Sequence, residues 1–291
     1  MKPVAFDYHA PATVAEALDT LARLGYGGKI LAGGQSLIPA MNFRMAQPAA
    51  LVDLNNCSEL FFIKPGTDGG LLIGAMTRDT RVEFDPLVKE RAPAVVEAMP
   101  YIGHAQIRNR GTFGGNLAHA DPAGQLPGVS VALEARMHVR SKKDERWVNA
   151  DDFFVGPFQT VLEPDEMLYE VAIPPLKKGS GSCYQQVSRQ KGAQAQVGVA
   201  ARVTLDDRKR CSDARLVMLC VGEKPLLARE ATKLLIGQEP SQKLFAEVAE
   251  VASTKDIDPG TDIHATVEYR RHAARVLVMR TLTEAFARVA R

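Results

Sequence analysis

The sequence predicts an α+β chain of three units, and three features carry that prediction. Residues 1–56 hold a strand–helix–strand pattern. Residues 57–176 set a long glycine-rich stretch without amphipathic period among strands and helices. Residues 177–291 change to successive strands followed by helices. A length of 291 residues fits two or three folding units, and 46% hydrophobic residues suffice for a core without disulfide or metal staples.

In the first unit, Thr13-Val14-Ala15-Glu16 is a capping box, which satisfies free backbone donors at a helix start. Val14, Leu18, Leu21 and Leu24 follow at helical spacing, and Gly25 is a natural stop. Lys29-Ile30-Leu31-Ala32 reads as a short buried strand that runs into Gly33-Gly34-Gln35-Ser36, and residues 50–54 read as another strand. In the second unit, residues 71–75 are strand-like and Thr77 opens a helical region. Residues 86–99 are helical, with Pro93 as a kink. Residues 102–116 are rich in glycine and polar side chains and read as irregular. Strands near 137–140 and 168–173 close the unit. Residues 174–181 form a linker by composition. Beyond it, residues 184–189, 197–205 and 214–221 read as strands. Val199, Ala201, Val203 and Leu205 alternate as a half-buried antiparallel sheet requires. Helices follow at 226–236, 243–252 and 264–289.

Composition narrows the function. With 36 basic and 34 acidic residues the charge is too balanced for a nucleic-acid footprint. No apolar run reaches membrane-span length, and the N-terminus shows no secretion signal, so a cytoplasmic location is expected. Cys57, Cys183, Cys211 and Cys220 are scattered without C-x-x-C. Reduced thiols are expected, with neither an iron–sulfur cluster nor a structural zinc on this chain. The histidines form no H-E-x-x-H, and His119-Ala120-Asp121 lacks a third metal ligand. No G-x-S-x-G elbow supports serine-hydrolase chemistry. Arg270, Arg271, Arg275 and Arg280 read as a solvated or subunit-facing stripe on the last helix, and Trp147 as core or interface.

Two glycine-rich loops follow extended segments: residues 32–36 and 111–116. Glycine permits positive φ and close backbone approach, and successive N–H groups in such turns make anion-binding nests. Ser36, Thr112 and Asn116 add side-chain polar groups. Both loops therefore suit a diphosphate. Neither matches a P-loop, and Gly25-Tyr26-Gly27-Gly28 does not complete a G-x-G-x-x-G fingerprint. Taken singly, such turns are more often structural than ligand-binding.

Ala32-Gly33-Gly34-Gln35-Ser36-Leu37-Ile38-Pro39, with Met41 and Arg44, resembles the first flavin loop of the medium subunits of molybdenum hydroxylases, the group of carbon monoxide dehydrogenase, xanthine dehydrogenase and quinoline oxidoreductase. Residues 107–122, Ile-Arg-Asn-Arg-Gly-Thr-Phe-Gly-Gly-Asn-Leu-Ala-His-Ala-Asp-Pro, resemble the second. The resemblance covers essentially the whole chain. It implies a vanillyl-alcohol-oxidase/PCMH-type FAD-binding fold of two α/β subdomains, 1–56 and 57–176. A C-terminal domain, 177–291, would add a three-stranded antiparallel sheet with a helix bundle. It implies FAD on this chain and no catalytic acid or base. It also implies a large molybdopterin subunit and a small [2Fe–2S] subunit as partners, in a dimer of heterotrimers. Electrons would pass from the clusters to FAD and on to an acceptor.

On matching positions, the resemblance assigns Lys29, Ile30, Leu31, Ala32, Gly33, Gly34, Gln35, Ser36 and Leu37 to the FAD pyrophosphate. Ile102 and Gly103 lie beside the flavin or its diphosphate, and Gly111, Thr112, Gly114, Gly115 and Asn116 form a second wall. Leu168 matches a position near the cofactor, while its own pattern reads as strand core. Three departures stand out. Gln125 stands where some relatives have an aspartate, which leaves a ribose-side contact to Asp121 or leaves Asp121 a helix cap before Pro122. Gln185 and Gln186 stand where a lysine is common, so a cation near the flavin is missing unless Arg189 or Lys191 supplies it. Gly192-Ala193-Gln194 lacks a shielding aromatic, so residues 192–196 gate the oxidant or are a surface hairpin. A free-standing FAD-dependent oxidase and a FAD-fold scaffold without cofactor remain as alternatives. The substrate and the acceptor are not legible in this chain.

Overall fold

A computed structural model describes residues 1–289; the last two residues of the C-terminal unit lie outside the described range. The N-terminal unit is a small parallel sheet. Strands β1 (Asp7–His9) and β2 (Gly28–Leu31) flank β3 (Ala50–Asp53), with helices α1 (Val14–Leu24) and α2 (Leu37–Asn42) in the connections. Helix α1 forms as its pattern dictates. The Thr13 hydroxyl accepts the Glu16 N–H, Gly25 takes φ +52° at the C-terminus, and Val14, Ala17, Leu18 and Leu21 are buried. Burying each large side chain contributes about 1.5–3 kcal/mol, so this apolar face rather than helix propensity holds α1 in place.

The middle unit is built on an antiparallel sheet in the order β4 (Ile63–Pro65), β5 (Leu71–Gly74), β10 (Met167–Ile173), β6 (Arg136–Arg140), β7 (Glu145–Asn149). Helix α3 (Asp79–Phe84) begins two residues after Thr77. The predicted helix at 86–99 is two short ones, α4 (Pro86–Arg91) and α5 (Pro93–Ala98), because each Pro occupies a first turn, where its missing N–H costs nothing. The stretch read as irregular contains α6 (Ala105–Arg108) and α7 (Phe113–His119), the latter capped by Thr112. Helix α8 (Gln125–Ala132) is buried on all sides, so it carries no amphipathic signal. A short helix α9 (Ala150–Phe153) and a small hairpin, β8 (Phe154–Gly156) with β9 (Gln159–Thr160), lead back to β10.

The C-terminal unit holds an antiparallel sheet, β11 (Ser180–Val187), β12 (Val197–Leu205) and β13 (Cys211–Leu219). A two-residue fourth strand, β14 (Leu226–Leu227), occupies the start of what the sequence reads as helix. Helices α10 (Arg229–Leu235), α11 (Gln242–Val251) and α12 (Val267–Val289) follow, with a π-helical turn at Ala252–Asp256. Strand β12 is buried on both faces, not half-buried. Val199, Ala201 and Val203 meet the helices, while Ala200 joins Tyr184, Val217 and Leu219 in the core of the middle unit. The alternation thus separates two cores rather than core from water. Arg202, nearly buried on that second face, pairs with Glu134 and with Asp213 at 2.8 Å. Arg270 also departs from the solvated stripe. It is 5% exposed and donates to the carbonyls of Gln196 and Cys220 and to Asp262. Trp147 is 43% exposed and stacks on His138 at 4.5 Å.

Candidate cofactor site

Strands β2 and β3 run parallel, and their carboxyl ends open on one edge, the usual place for a ligand on such a sheet. Lys29, exposed, and the half-buried Ile30 and Leu31 complete β2. The chain then turns through Ala32–Ser36 before Leu37 starts α2. Gly34 holds φ +73°. A Cβ on Gly33 would lie 2.5 Å from the Arg110 carbonyl oxygen and 2.7 Å from the Gly111 Cα. Only glycine lets the first loop lie this close to the second. A Cβ on Gly115 would be 3.4 Å from that of Ala32. The structure therefore brings the two distant glycine motifs into contact.

The loops differ in what their amides do. Among the described residues, no acceptor takes the N–H groups of Gly33, Gly34, Gln35 or Ser36. The Gln35 amide folds back onto the Gly33 carbonyl at 2.9 Å and braces the turn, and the Ser36 hydroxyl makes no capping bond. Gly33, Gly34 and Gln35 border an open cavity of about 360 Å³ that also meets Ile38, Pro39, Asp53, Asn55 and Arg110.

The second loop uses its amides internally. Gly111 donates to Ile107, Phe113 to Thr77, Gly114 to Ala75, and Gly115 and Asn116 to the Thr112 hydroxyl and carbonyl. Thr112 is 2% exposed. This corrects the expectation of two donor nests. The second loop is a self-braced wall, and the first alone offers a row of amides. Asn116 is the exception, because its Oδ1 is buried without a partner.

The other predicted positions divide. Gln125, buried on α8, donates through Nε2 to Gln186 Oε1 at 3.0 Å. Tyr184 donates to the same oxygen at 2.6 Å, and the Gln186 Nε2 is left buried without a partner. A Cβ on Gly192 would lie 2.6 Å from the Gly103 carbonyl oxygen and 3.0 Å from His104 Nδ1, so Gly192 packs on the Gly103–His104 turn. Asp121 Oδ1 accepts the Ala123 N–H at 2.8 Å, which uses it as a turn cap. Leu168 is 5% exposed inside the core of the middle unit. Burial lowers the pKa of His119, with the Lys29 charge adding to that and Asp121 opposing it.

The sequence reading missed Asp53, Asn55, Arg78 and Asp79. Asp53 and Asn55 carried one usable signal, polar residues at the carboxyl end of a parallel strand. Asp79 is 2% exposed beside Gly111. Burial pushes its carboxyl up to about 7, against the pull of Arg108 and Arg78 and with Glu83 assisting. Among the described residues, no group of three or more His, Cys, Asp or Glu is placed to hold a metal, and no helix is long and apolar enough to cross a membrane.

Residues 4–176 match the family described as the FAD binding domain in molybdopterin dehydrogenase, and residues 182–285 match the CO dehydrogenase flavoprotein C-terminal domain. The chain belongs to the FAD-binding medium subunits of the molybdenum hydroxylases. It is 40% identical over 288 residues to the 6-hydroxypseudooxynicotine dehydrogenase complex subunit alpha of Paenarthrobacter nicotinovorans, covering 99% of this chain and 97% of the relative. It is 38% identical over 290 residues to the caffeine dehydrogenase subunit beta of Pseudomonas sp. (strain CBB1), covering 99% and 97%. The solved carbon monoxide dehydrogenase from Hydrogenophaga pseudoflava superposes with a TM-score of 0.94 at 35% identity, covering 99% of both chains. The fold of this medium subunit is therefore the PCMH-type FAD-binding fold with its C-terminal domain, and the chain is an oxidoreductase subunit.

The residues of this medium subunit fit FAD. The unpartnered amides of the first loop are donors suited to a diphosphate. Among the described residues, the buried Asn116 Oδ1 and Gln186 Nε2 have no partner, and a polar ligand edge could pair with them.

Proposed function

We propose that this medium subunit holds FAD between its two glycine loops and its C-terminal sheet. In that position it relays electrons from the [2Fe–2S] clusters of a small partner subunit to an external acceptor. The row of amides at Gly33, Gly34, Gln35 and Ser36, without acceptors among the described residues, carries this reading, and the first three of these residues border an open cavity. Bound FAD supplies the capacity to take electrons from one-electron clusters and hand on two. The chain's own residues bind and orient. Lys29–Leu37 frame and contact the diphosphate, Gly111–Asn116 wall its other side, and Asn116 and Gln186 offer an acceptor and a donor. Gln125 fixes the Gln186 amide through the 3.0 Å bond. Residues 192–196, packed on Gly103, control the oxidant's approach. Leu168 shapes the site from within the core.

The molybdopterin belongs to a large partner subunit, and the assembly is a dimer of heterotrimers built from chains with units at 1–56, 57–176 and 177–291. The relatives above are named for 6-hydroxypseudooxynicotine, caffeine and carbon monoxide, three unlike substrates on one medium-chain fold. Substrate choice is accordingly assigned to the large subunit. Purification with the natural partners tests the reading, with absorption recorded before and after anaerobic dithionite. Flavin and cluster bands that bleach together support it. Flavin without partner subunits contradicts the relay, and a chain that ignores added FAD contradicts the cofactor site.

A further inference from the structure

We infer that Asn55 and Arg78 are positioning residues that buckle the two glycine loops together and thereby set the affinity for FAD. The geometry stands without the cofactor, and its effect on affinity rests on the reading above. Asn55 Nδ2 donates to the Ala32 carbonyl at 3.0 Å, at the root of the first loop. Its Oδ1 accepts from Arg78 Nη2 at 2.5 Å. Arg78 Nη1 donates to the Arg110 carbonyl, also at 2.5 Å. That carbonyl is the one against which Gly33 lies. Two side chains therefore connect Ala32 to Arg110 through unbroken hydrogen bonds, beside the contact that only glycine permits.

The buckle is anchored at both ends. Asp53 Oδ1 accepts the Asn55 N–H at 2.9 Å, and Asp53 Oδ2 accepts the Tyr8 hydroxyl at 2.6 Å, which ties the assembly to β1 and β3. Arg78 pairs through its backbone with Thr112, and its guanidinium lies 5.4 Å from the centre of the Phe61 ring. The residue types follow from the task. Asn55 must donate and accept at once, which a carboxylate does not do. Arg78 must reach two acceptors from a planar fork, which the point charge of lysine does not reproduce.

Two substitutions cut the link without adding charge near the loops. Arg78→Lys keeps the cation and loses the fork. Asn55→Ala is neutral and loses both bonds. In the full chain, each is expected to raise the Kd for FAD at least about tenfold, as loss of a hydrogen bond to a charged group implies. The double variant is expected to fall within about threefold of the weaker single variant, because either cut opens the same link. Backbone amide exchange measured without FAD is a second readout. Exchange at Ile38, whose amide donates to the Gly34 carbonyl, and at the bonded amides of residues 110, 111 and 113–115 should rise together in each variant while α12 keeps its protection. Loop exchange unchanged from the parent chain, or additive losses of affinity, would overturn the buckle. A parent chain that binds no FAD while its variants loosen both loops would instead sink the cofactor reading and leave the buckle standing.

Discussion

The buried carboxyl of Asp79 makes this chain's stability depend on pH in a calculable way. Asp79 opens α3, donates its N–H to the Gly111 carbonyl at 3.1 Å, and has Oδ1 buried without a partner. Burial is the main cause that lifts its carboxyl from the usual 3.8 to about 7. The neutral acid is thus the form the fold holds at pH 6, while the unfolded chain has already ionised there. The folded state binds the extra proton between about pH 4 and pH 7, so stability falls as pH rises through that window and levels above it. At ~1.4 kcal/mol per pH unit, a window of about three units sets a ceiling on the order of 4 kcal/mol. Asp79→Asn keeps the shape and cannot ionise. Urea unfolding of the cofactor-free chain, followed by far-ultraviolet circular dichroism from pH 5 to 8.5, isolates the effect, since every other titrating group is common to both chains. From pH 5 to pH 7 the variant should gain about 3 kcal/mol on the parent, and the difference should level above pH 7. A difference between the two chains that stays constant across the range would refute the neutral carboxyl. A variant less stable at every pH would show that Arg78 and Arg108 hold Asp79 ionised.

Three further outcomes follow from the same contacts. Gly33→Ala places a methyl 2.5 Å from the Arg110 carbonyl oxygen and must push the loops apart, which costs ~1–3 kcal/mol of stability and weakens FAD binding in titrations of flavin fluorescence. Burial pushes the thiols of Cys57 and Cys211 up to about 11 and those of Cys183 and Cys220 up to about 12, so the native chain at pH 8 should stay nearly unreactive to a thiol-titrating disulfide that reads four equivalents after unfolding. Gln194→Trp adds a bulky ring to the segment packed on Gly103. Stopped-flow reoxidation of the reduced flavin should slow, and an unchanged rate would remove residues 192–196 from any role in acceptor access.

Most of the fold is legible where one face of an element meets water. Helix α1 shows its cap and its buried stripe. Legibility fails where an element is covered on every side. Gln125–Ala132 contains glycine, proline and serine and lacks a polar face, because α5, β12 and β13 surround it. Likewise, Phe113–His119 is a helix despite two glycines. Thr112 caps it, and Gly114 fits against Ala75, where a Cβ would lie 2.5 Å away. Propensity yields there to a contact that the sequence does not display.

The site shows the same limit in sharper form. Both glycine loops read alike as sequences, each a turn with room for backbone approach and small polar side chains. Their chemistry differs because of residues elsewhere. Ala75, Thr77 and Ile107 supply carbonyls that take up three amides of the second loop, whereas among the described residues nothing takes those of the first. A motif therefore specifies a shape, and the acceptors packed around it decide whether its N–H groups remain available. That is also why Asn55 and Arg78 escaped notice, since neither belongs to a motif and each matters through a carbonyl on a distant loop. Close approach at Gly33 needs glycine from the sequence, but holding the loops there needs a bridge that only the folded chain assembles. The Gln125–Gln186 pair follows the same logic. The two glutamines lie far apart in the sequence, and in the fold they meet at 3.0 Å, with the Gln186 Nε2 left without a partner. A charge placed at either position alone would stand against the other's amide, at a desolvation cost of several kcal/mol. Gln125→Asp or Gln186→Lys alone should therefore lower stability in urea unfolding, and the double variant should recover most of the loss.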